Sequence, residues 1–149
     1  MGCDIHSTAE KKVGGSWQAI PDLHPFDWRS YRVFGFLANV RNYSAVTPIS
    51  DPRGLPPDAA LDDEFAYGDH SRSWLSVQEL LDFDYDQMTE DRRYTGMDPS
   101  GGFMSGALTA APGNGKAMSY REFLGDAFFE DLKKLKDAGA ERFVFGFDS

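Results

Sequence analysis

Both ends of the chain have the pattern of β-strands, and this restricts the fold more than any other feature. Residues 2–10 alternate between two faces, one of which carries Asp4 and His6, and this period of two indicates a half-buried strand. Residues 142–147 form a short apolar run of the kind found in strands that are buried on both faces. If these two strands pair, Asp4, His6 and Asp148 lie near one end of the sheet.

The N-terminal strand is expected to turn back on itself as a hairpin. Gly14 and Gly15 supply a turn, and residues 16–20 have the pattern of the returning strand. Further along the chain, Asp27 is expected to cap a helix over about residues 28–40.

Two capping boxes locate further helices. Ser76 with Glu79 predicts the start of a short helix, and Ser119 with Glu122 predicts a longer one over about residues 120–138. The stretches predicted to be long loops are 41–60 and 96–117. We therefore expect a single α+β domain over residues 1–149, with a small antiparallel sheet (the N-terminal hairpin plus the C-terminal strand) packed by about three helices.

The composition is that of a folded protein and argues against several classes of partner. Hydrophobic residues make up 41% of the chain and aromatic residues 14%, which disordered chains do not reach. The net charge of −9 disfavours broad nucleic-acid binding, which needs a basic surface. No stretch approaches the about 20 apolar residues that cross a bilayer, and a secretory signal is not expected. The single Cys3 suits a reducing compartment.

The first candidate site is the pair Asp4 and His6, which share one face of the N-terminal strand. They lie about 6.6 Å apart along the backbone. A carboxylate at that distance can orient a histidine that acts as a general base, or both side chains can bind one metal ion. The alternative is a partly exposed strand with ordinary polar side chains. The next histidine along the chain, His24, lies in a loop and is expected to be on the surface.

A second polar group precedes the helix that begins near residue 76. It comprises Asp69, His70, Ser71 and Ser73, which combine a carboxylate, an imidazole and two hydroxyl groups. Hydroxyl and backbone N–H groups near a helix start favour anions. The alternative is a turn in which Ser and Asp side chains bond to backbone donors.

Asp4, His6, Asp69 and His70 would form a mixed nitrogen and oxygen site if the fold brought them together. Such a set suits Zn²⁺, Mn²⁺ or Fe²⁺. No paired-histidine spacing supports this hypothesis in the sequence. A divalent metal therefore stays one option, and the cofactor stays open.

The early arginines suggest that the ligand is an anion. Arg29 lies near Tyr31 on the predicted helix, Arg41 follows the helix, and Arg53 lies in a proline-stiffened turn. Guanidinium groups directed at one pocket, with a tyrosine for stacking, suit a small phosphorylated nucleotide. The alternative is that each arginine pairs with a neighbouring acid on the surface.

Several short motifs resemble a family of small proteins encoded by tailed bacteriophages. They are Met1 to His6, Arg29-x-Tyr31 with Val40-Arg41, Pro52-Arg53-Gly54-Leu55-Pro56-x-Asp58, Asp69-His70-Ser71-x-Ser73-Trp74-Leu75 and Val144-Phe145-x-Phe147-Asp148. The family usually has a bulky residue where this chain has Gly146. The resemblance implies a phage-like origin and a location in the cytoplasm of the bacterial host.

Small accessory phage proteins often counter host defences, and some bind or cleave nucleotide immune signals. We therefore expect a phosphodiesterase-like hydrolase of such a signal. His6 or His70 would act as the acid–base group and Asp4 or Asp69 as its orienting group, with Arg29 among the phosphate ligands. One alternative is a sponge that sequesters the nucleotide without cleaving it. The other is an acidic inhibitor that binds a basic host protein.

Overall fold

The two end strands lie side by side in the middle of a four-stranded sheet. In the computed structural model, which describes residues 2–94 and 108–149, the strand order is β2–β1–β8–β3 and every neighbouring pair is antiparallel. The strands are β1 (Asp4–Val13), β2 (Ser16–Ala19), β3 (His70–Ser76), β4 (Met88–Asp91), β5 (Arg93–Tyr94), β6 (Leu108–Thr109), β7 (Lys116–Ser119) and β8 (Arg142–Asp148). The helices are α1 (Tyr31–Ala38), α2 (Val77–Asp82), α3 (Tyr120–Leu124) and α4 (Asp126–Asp137), with a short 3-10 helix at Glu64–Tyr67.

This architecture confirms the predicted α+β class and the small antiparallel sheet formed by the N-terminal hairpin and the C-terminal strand. Outside the main sheet, β4 pairs with β7 and β5 pairs with β6, each pair forming a separate two-stranded sheet. The first part of the predicted loop over 96–117, up to residue 107, lies outside the described residues. In the described ranges, no helix has the length and apolar character needed to cross a membrane.

Helix α1 begins later than its sequence pattern predicted. Ser30, not Asp27, is the N-cap, because its backbone is extended and its side chain accepts a hydrogen bond from the Val33 N–H. The helix ends at Asn39, which adopts the left-handed conformation with φ of 58°. Asp27 is consequently left in the loop that runs along β1.

The predicted helix over 120–138 is divided into α3 and α4. Gly125 separates them with φ of 82°, a conformation that interrupts a right-handed helix. Both capping residues were predicted correctly, since the side chains of Ser76 and Ser119 accept from the N–H groups of Glu79 and Glu122.

Strand β3 was not expected from the sequence, which suggested a turn before the helix at residue 76. The strand pairs with β8 and contains a bulge between His70 and Ser73. Ser71 lies in the bulge with φ of 52°. The bulge breaks the period of two, and this explains why the segment does not read as a strand.

Strand β8 is buried on both faces, as its apolar run predicted. One face packs Phe147 against Phe34 of α1 and Phe143 against Phe26, with ring centroids 5.1 and 5.5 Å apart. The other face is covered by the chain segment 54–68. Gly146 belongs to that covered face, where a Cβ atom would overlap the backbone carbonyl oxygen of Tyr67.

Candidate acid–base site at the end of the sheet

His6 and Asp148 form a hydrogen-bonded pair where β1 and β8 end together. The register places Asp4 opposite Asp148 and His6 opposite Gly146. The Nε2 atom of His6 lies 2.5 Å from Oδ2 of Asp148. An ionised carboxylate only accepts hydrogen bonds, so Nε2 donates and Nδ1 of a neutral ring keeps its lone pair. The side chains are 42% and 47% exposed, and a ligand can therefore reach them.

A cavity of about 410 Å³ adjoins this pair and contains a second imidazole. Its polar lining residues are His6, Ser7, Thr8, His24 and Asp27. The Nδ1 atom of His24 lies 2.7 Å from the backbone carbonyl oxygen of Ser7. A carbonyl oxygen only accepts, so Nδ1 donates here and Nε2 is the nitrogen available for proton transfer. Two histidines with assigned tautomers thus line one cavity.

His24 is exposed, as expected, but the sequence did not indicate that it lines this cavity. The loop that carries it runs along the open edge of β1. Ser7 Oγ donates to the Pro25 carbonyl oxygen at 2.6 Å, and the Ala9 N–H donates to the Leu23 carbonyl oxygen at 3.3 Å. These contacts join residues far apart in the chain, and no local pattern reveals them.

Asp4 is bound to Arg29 rather than to His6. Both carboxylate oxygens accept from the Arg29 guanidinium, each at 3.0 Å. These hydrogen bonds lower the pKa of Asp4, and the nearby His6 adds a smaller lowering effect. The orienting role that the sequence suggested for Asp4 is therefore filled geometrically by Asp148, while Asp4 places Arg29 beside the site.

Tyr31 and Arg41 also lie at this end of the sheet. The Tyr31 hydroxyl accepts from the Cys3 N–H at 3.1 Å, and the guanidinium carbon of Arg41 lies 5.6 Å from the centre of the Tyr31 ring. Burial raises the pKa of the Cys3 thiol. A hydrogen bond with Ser149 and the positive charge of Arg41 both lower this pKa, but burial is the larger effect. Asp4, His6, Arg29, Tyr31 and Arg41 therefore gather around one sheet end.

His70 lies on the other face of the sheet from His6. It pairs with Phe147 across β8, whereas His6 pairs with Gly146, and successive residues of a strand point to opposite faces. Two strand spacings of about 4.8 Å also separate their backbones. The two histidines consequently do not share a pocket.

A separate cavity of about 490 Å³ is lined by Asp69, His70 and Ser71. His70 Nδ1 lies 3.0 Å from Ser71 Oγ, and Nε2 lies 2.8 Å from Ser149 Oγ. Both ring nitrogens therefore have hydroxyl partners.

Hydrogen bonds join the loop that carries Arg53 to the middle of β3, at Ser73. The Arg53 guanidinium binds both carboxylate oxygens of Glu79 and lies 4.9 Å from the centre of the Trp74 ring. The Arg53 N–H donates to Ser73 Oγ at 2.9 Å. Both side chains are occupied in structural contacts that do not include His6 or His70.

The described residues do not assemble the mixed nitrogen and oxygen metal site that the sequence suggested. Among residues 2–94 and 108–149, no group of three or more His, Cys, Asp or Glu side chains is placed to hold a metal ion.

No protein-family model, curated protein or solved structure matches the chain.

Proposed function

We propose that the protein binds a small phosphorylated nucleotide at the end of the β1–β8 pair and hydrolyses it as a phosphodiesterase-like enzyme. The observation that carries the proposal is the His6–Asp148 hydrogen bond beside a cavity that also contains His24. The resemblance to tailed-phage proteins supports a host-defence nucleotide signal as the substrate and the bacterial host cytoplasm as the location.

Hydrolysis of a phosphodiester needs one group that takes a proton from the attacking water and another that protonates the leaving oxygen. In this proposal, Nδ1 of His6 takes the proton while Asp148 holds the ring through Nε2. Protonated Nε2 of His24 donates to the leaving oxygen as the water oxygen bonds to phosphorus. Arg29 neutralises charge on the phosphoryl group, because its exposed ion pair with Asp4 is weak enough for a phosphate to compete.

A sponge that binds the nucleotide without cleaving it is the second candidate. It is favoured by the arrangement of Arg41 and Arg93 around Tyr31 and Tyr43, where each guanidinium carbon lies 5.6 Å from the centre of the Tyr31 ring. Such cation–aromatic surroundings bind bases and phosphates without any catalytic group.

Chromatography of nucleotides incubated with the purified protein separates these functions. Cyclic dinucleotides and cyclic ADP-ribose variants would be tested, and new products indicate hydrolysis, whereas intact release on heating indicates sequestration. If the protein neither binds nor converts any of them, both nucleotide functions are wrong, and a pull-down of basic host proteins tests the inhibitor alternative.

Variants test the assigned roles. We expect His6→Ala to abolish turnover and His24→Ala to reduce it by about a hundredfold or more, the usual contribution of an acid–base group. His70→Ala tests whether the opposite face takes part. An equally complete loss in that variant would contradict a site built on His6 and His24. Asp148→Asn tests the carboxylate that orients His6, and Asp86→Asn, which removes an exposed carboxylate outside the cavity, is its control.

A further inference from the structure

A serine in a strained backbone conformation lies in the bulge of β3. Ser71 has φ of 52°, a left-handed conformation that is unfavourable for residues other than glycine. The register of β3 and β8 shifts between His70 and Ser73, and among the described residues Ser71 has no register partner on β8. Bulges re-aim side chains, and strained residues cluster at reactive sites. The conformation of Ser71 therefore makes its hydroxyl group a candidate nucleophile.

The Ser71 hydroxyl group is hydrogen-bonded to a histidine whose ring is held from its other side. His70 Nδ1 lies 3.0 Å from Ser71 Oγ, and Nε2 lies 2.8 Å from Ser149 Oγ. A neutral imidazole has one donor nitrogen and one acceptor nitrogen. When Nε2 donates to Ser149, Nδ1 accepts from Ser71, which is the tautomer that a base needs to remove the Ser71 proton. Nucleophile, base and orienting group thus form one hydrogen-bonded chain.

A backbone N–H group beside Ser71 is directed toward the same cavity. His70 and Ser71 line the cavity of about 490 Å³, and Gly54 and Leu55 form another part of its wall. The Arg72 carbonyl oxygen accepts from the Gly54 N–H at 2.9 Å. Because the N–H and C=O groups of one strand residue point to the same side, the Arg72 N–H also points away from β8, toward that wall. The N–H of the residue after a nucleophilic serine is a usual donor to the oxyanion.

The charges around this cavity favour an uncharged substrate. Glu64 and Asp69 line it together with Arg72, and Arg72 Nη1 lies 3.7 Å from Glu64 Oε2. Two carboxylates against one guanidinium repel an anionic phosphodiester. Leu55 offers an apolar contact for an acyl chain. The cavity therefore suits a neutral acyl compound, unlike the nucleotide proposed for the site of His6 and His24.

We propose that the protein has a second catalytic site, in which Ser71 is the nucleophile and His70 the base for hydrolysis of a carboxylic ester. As Ser71 Oγ bonds to the acyl carbon, its proton passes to His70 Nδ1 and the carbonyl oxygen becomes the oxyanion. Breakage of the ester C–O bond releases the alcohol, which takes that proton, and leaves the acyl group on Ser71. Water then gives a proton to His70 and bonds to the acyl carbon. The carboxylic acid leaves as the proton returns to Ser71 Oγ.

The group that orients His70 restricts the reaction to esters. Ser149 carries no charge, so it stabilises the imidazolium formed during the reaction less than a carboxylate would. The amine of an amide is a poorer leaving group than the alcohol of an ester and depends more on that imidazolium. We therefore expect turnover of esters and not of peptide bonds.

Covalent labelling of the full chain with an alkyl fluorophosphonate, followed by peptide mapping in a mass spectrometer, tests the proposal. Ser71 Oγ displaces fluoride, so the adduct is expected on the peptide that contains Ser71. Ser71→Ala should abolish it, and His70→Ala should slow labelling by about a hundredfold or more, the usual contribution of a base. Ser16→Ala, at an exposed serine of β2, is the matched control and should leave the rate unchanged. An adduct elsewhere, no adduct, or labelling that does not depend on His70 would overturn the proposal.

Hydrolysis of p-nitrophenyl butyrate tests the substrate class. Ser71→Ala should abolish the enzymatic rate, and Ser149→Ala should lower kcat by about fivefold with KM unchanged, the contribution of one neutral hydrogen bond. Any turnover of bis(p-nitrophenyl) phosphate should not respond to Ser71→Ala, because the nucleotide site lies on the other face of the sheet. Butyrate hydrolysis that is absent, or that Ser71→Ala leaves unchanged, refutes the ester hydrolase whatever the outcome for nucleotides.

A glycine variant separates loss of chemistry from loss of folding. Glycine adopts φ of 52° without strain, so Ser71→Gly should unfold at a higher urea concentration than Ser71→Ala. Both variants should remain unlabelled by the fluorophosphonate. A stable Ser71→Gly protein that still forms the adduct refutes Ser71 as the nucleophile, and equal urea midpoints for the two variants refute the strain on which the assignment rests.

Discussion

Replacement of Glu10 by alanine is the sharpest test of how the covering segment 54–68 is held over the sheet. Glu10 is completely buried and Arg142 is 6% exposed. Arg142 Nε donates to Glu10 Oε1 at 2.7 Å, and the Ala60 N–H donates to Glu10 Oε2 at 2.9 Å. One carboxylate therefore links β1, β8 and the segment above them.

The size of the effect follows from what remains after Glu10 is removed. Loss of one partner from a buried ion pair costs about 3–5 kcal/mol, because the other charge stays buried. Arg142 keeps the Asp58 carboxylate, with Nη1 and Oδ1 3.1 Å apart, but that carboxylate is 59% exposed. We therefore expect Glu10→Ala to cost about 3 kcal/mol, the lower end of that range.

Urea unfolding followed by tryptophan fluorescence measures the change, with the m-value checked for constancy. Glu130→Ala, an exposed position of α4, is the matched control and should change stability by less than about 0.5 kcal/mol. A cost below about 1 kcal/mol for Glu10→Ala, the value typical of exposed pairs, would refute the view that this pair holds the segment.

Three further outcomes are expected. Asp148→Asn should lower kcat by about a hundredfold or more with a smaller effect on KM, because His6 loses the carboxylate that orients it; an unchanged kcat contradicts that role. Gly146→Ala should cost about 1–3 kcal/mol in urea unfolding, because the new methyl group displaces the carbonyl above it. The hydrogen bond from Arg142 lowers the folded-state pKa of Asp58, so this contribution to stability is present above the unfolded pKa of about 3.9 and is lost as pH falls through the folded value. A pH titration of unfolding that shows no such loss contradicts it.

The sheet was predictable where the local pattern depends on burial alone. The alternation around His6 and the apolar run at 142–147 both result from which faces of a strand are covered. Strand β3 was not predictable, because the bulge at Ser71 breaks the alternation and its stabilising partners come from β8. Helix α1 begins later than predicted because Ser30, and not Asp27, caps it, and both residue types favour the N-cap position.

The site was predictable only in part, for a similar reason. Asp4 and His6 are visible as polar residues on one strand face, but the position of their partners depends on contacts between distant parts of the chain. Arg53 lies in a stiff turn and looked like a phosphate ligand, yet Glu79, which also completes a capping box, binds it. Whether a given arginine meets an acid or faces a cavity is decided by tertiary structure, which local sequence does not encode.

Strand β8 contributes both to the stability of the fold and to the candidate site. Arg142 at one end holds the covering segment through Glu10 and Asp58, and Asp148 at the other end orients His6. The same segment supplies Leu61 and Ala66 to the wall of the cavity that contains His6 and His24. A substitution that weakens the Glu10–Arg142 ion pair is therefore expected to displace that wall without altering His6 or His24. We expect Glu10→Gln, which keeps hydrogen-bonding atoms but removes the charge, to raise KM in nucleotide turnover while the folded fraction stays high. If KM is unchanged while stability falls, the wall does not depend on the ion pair.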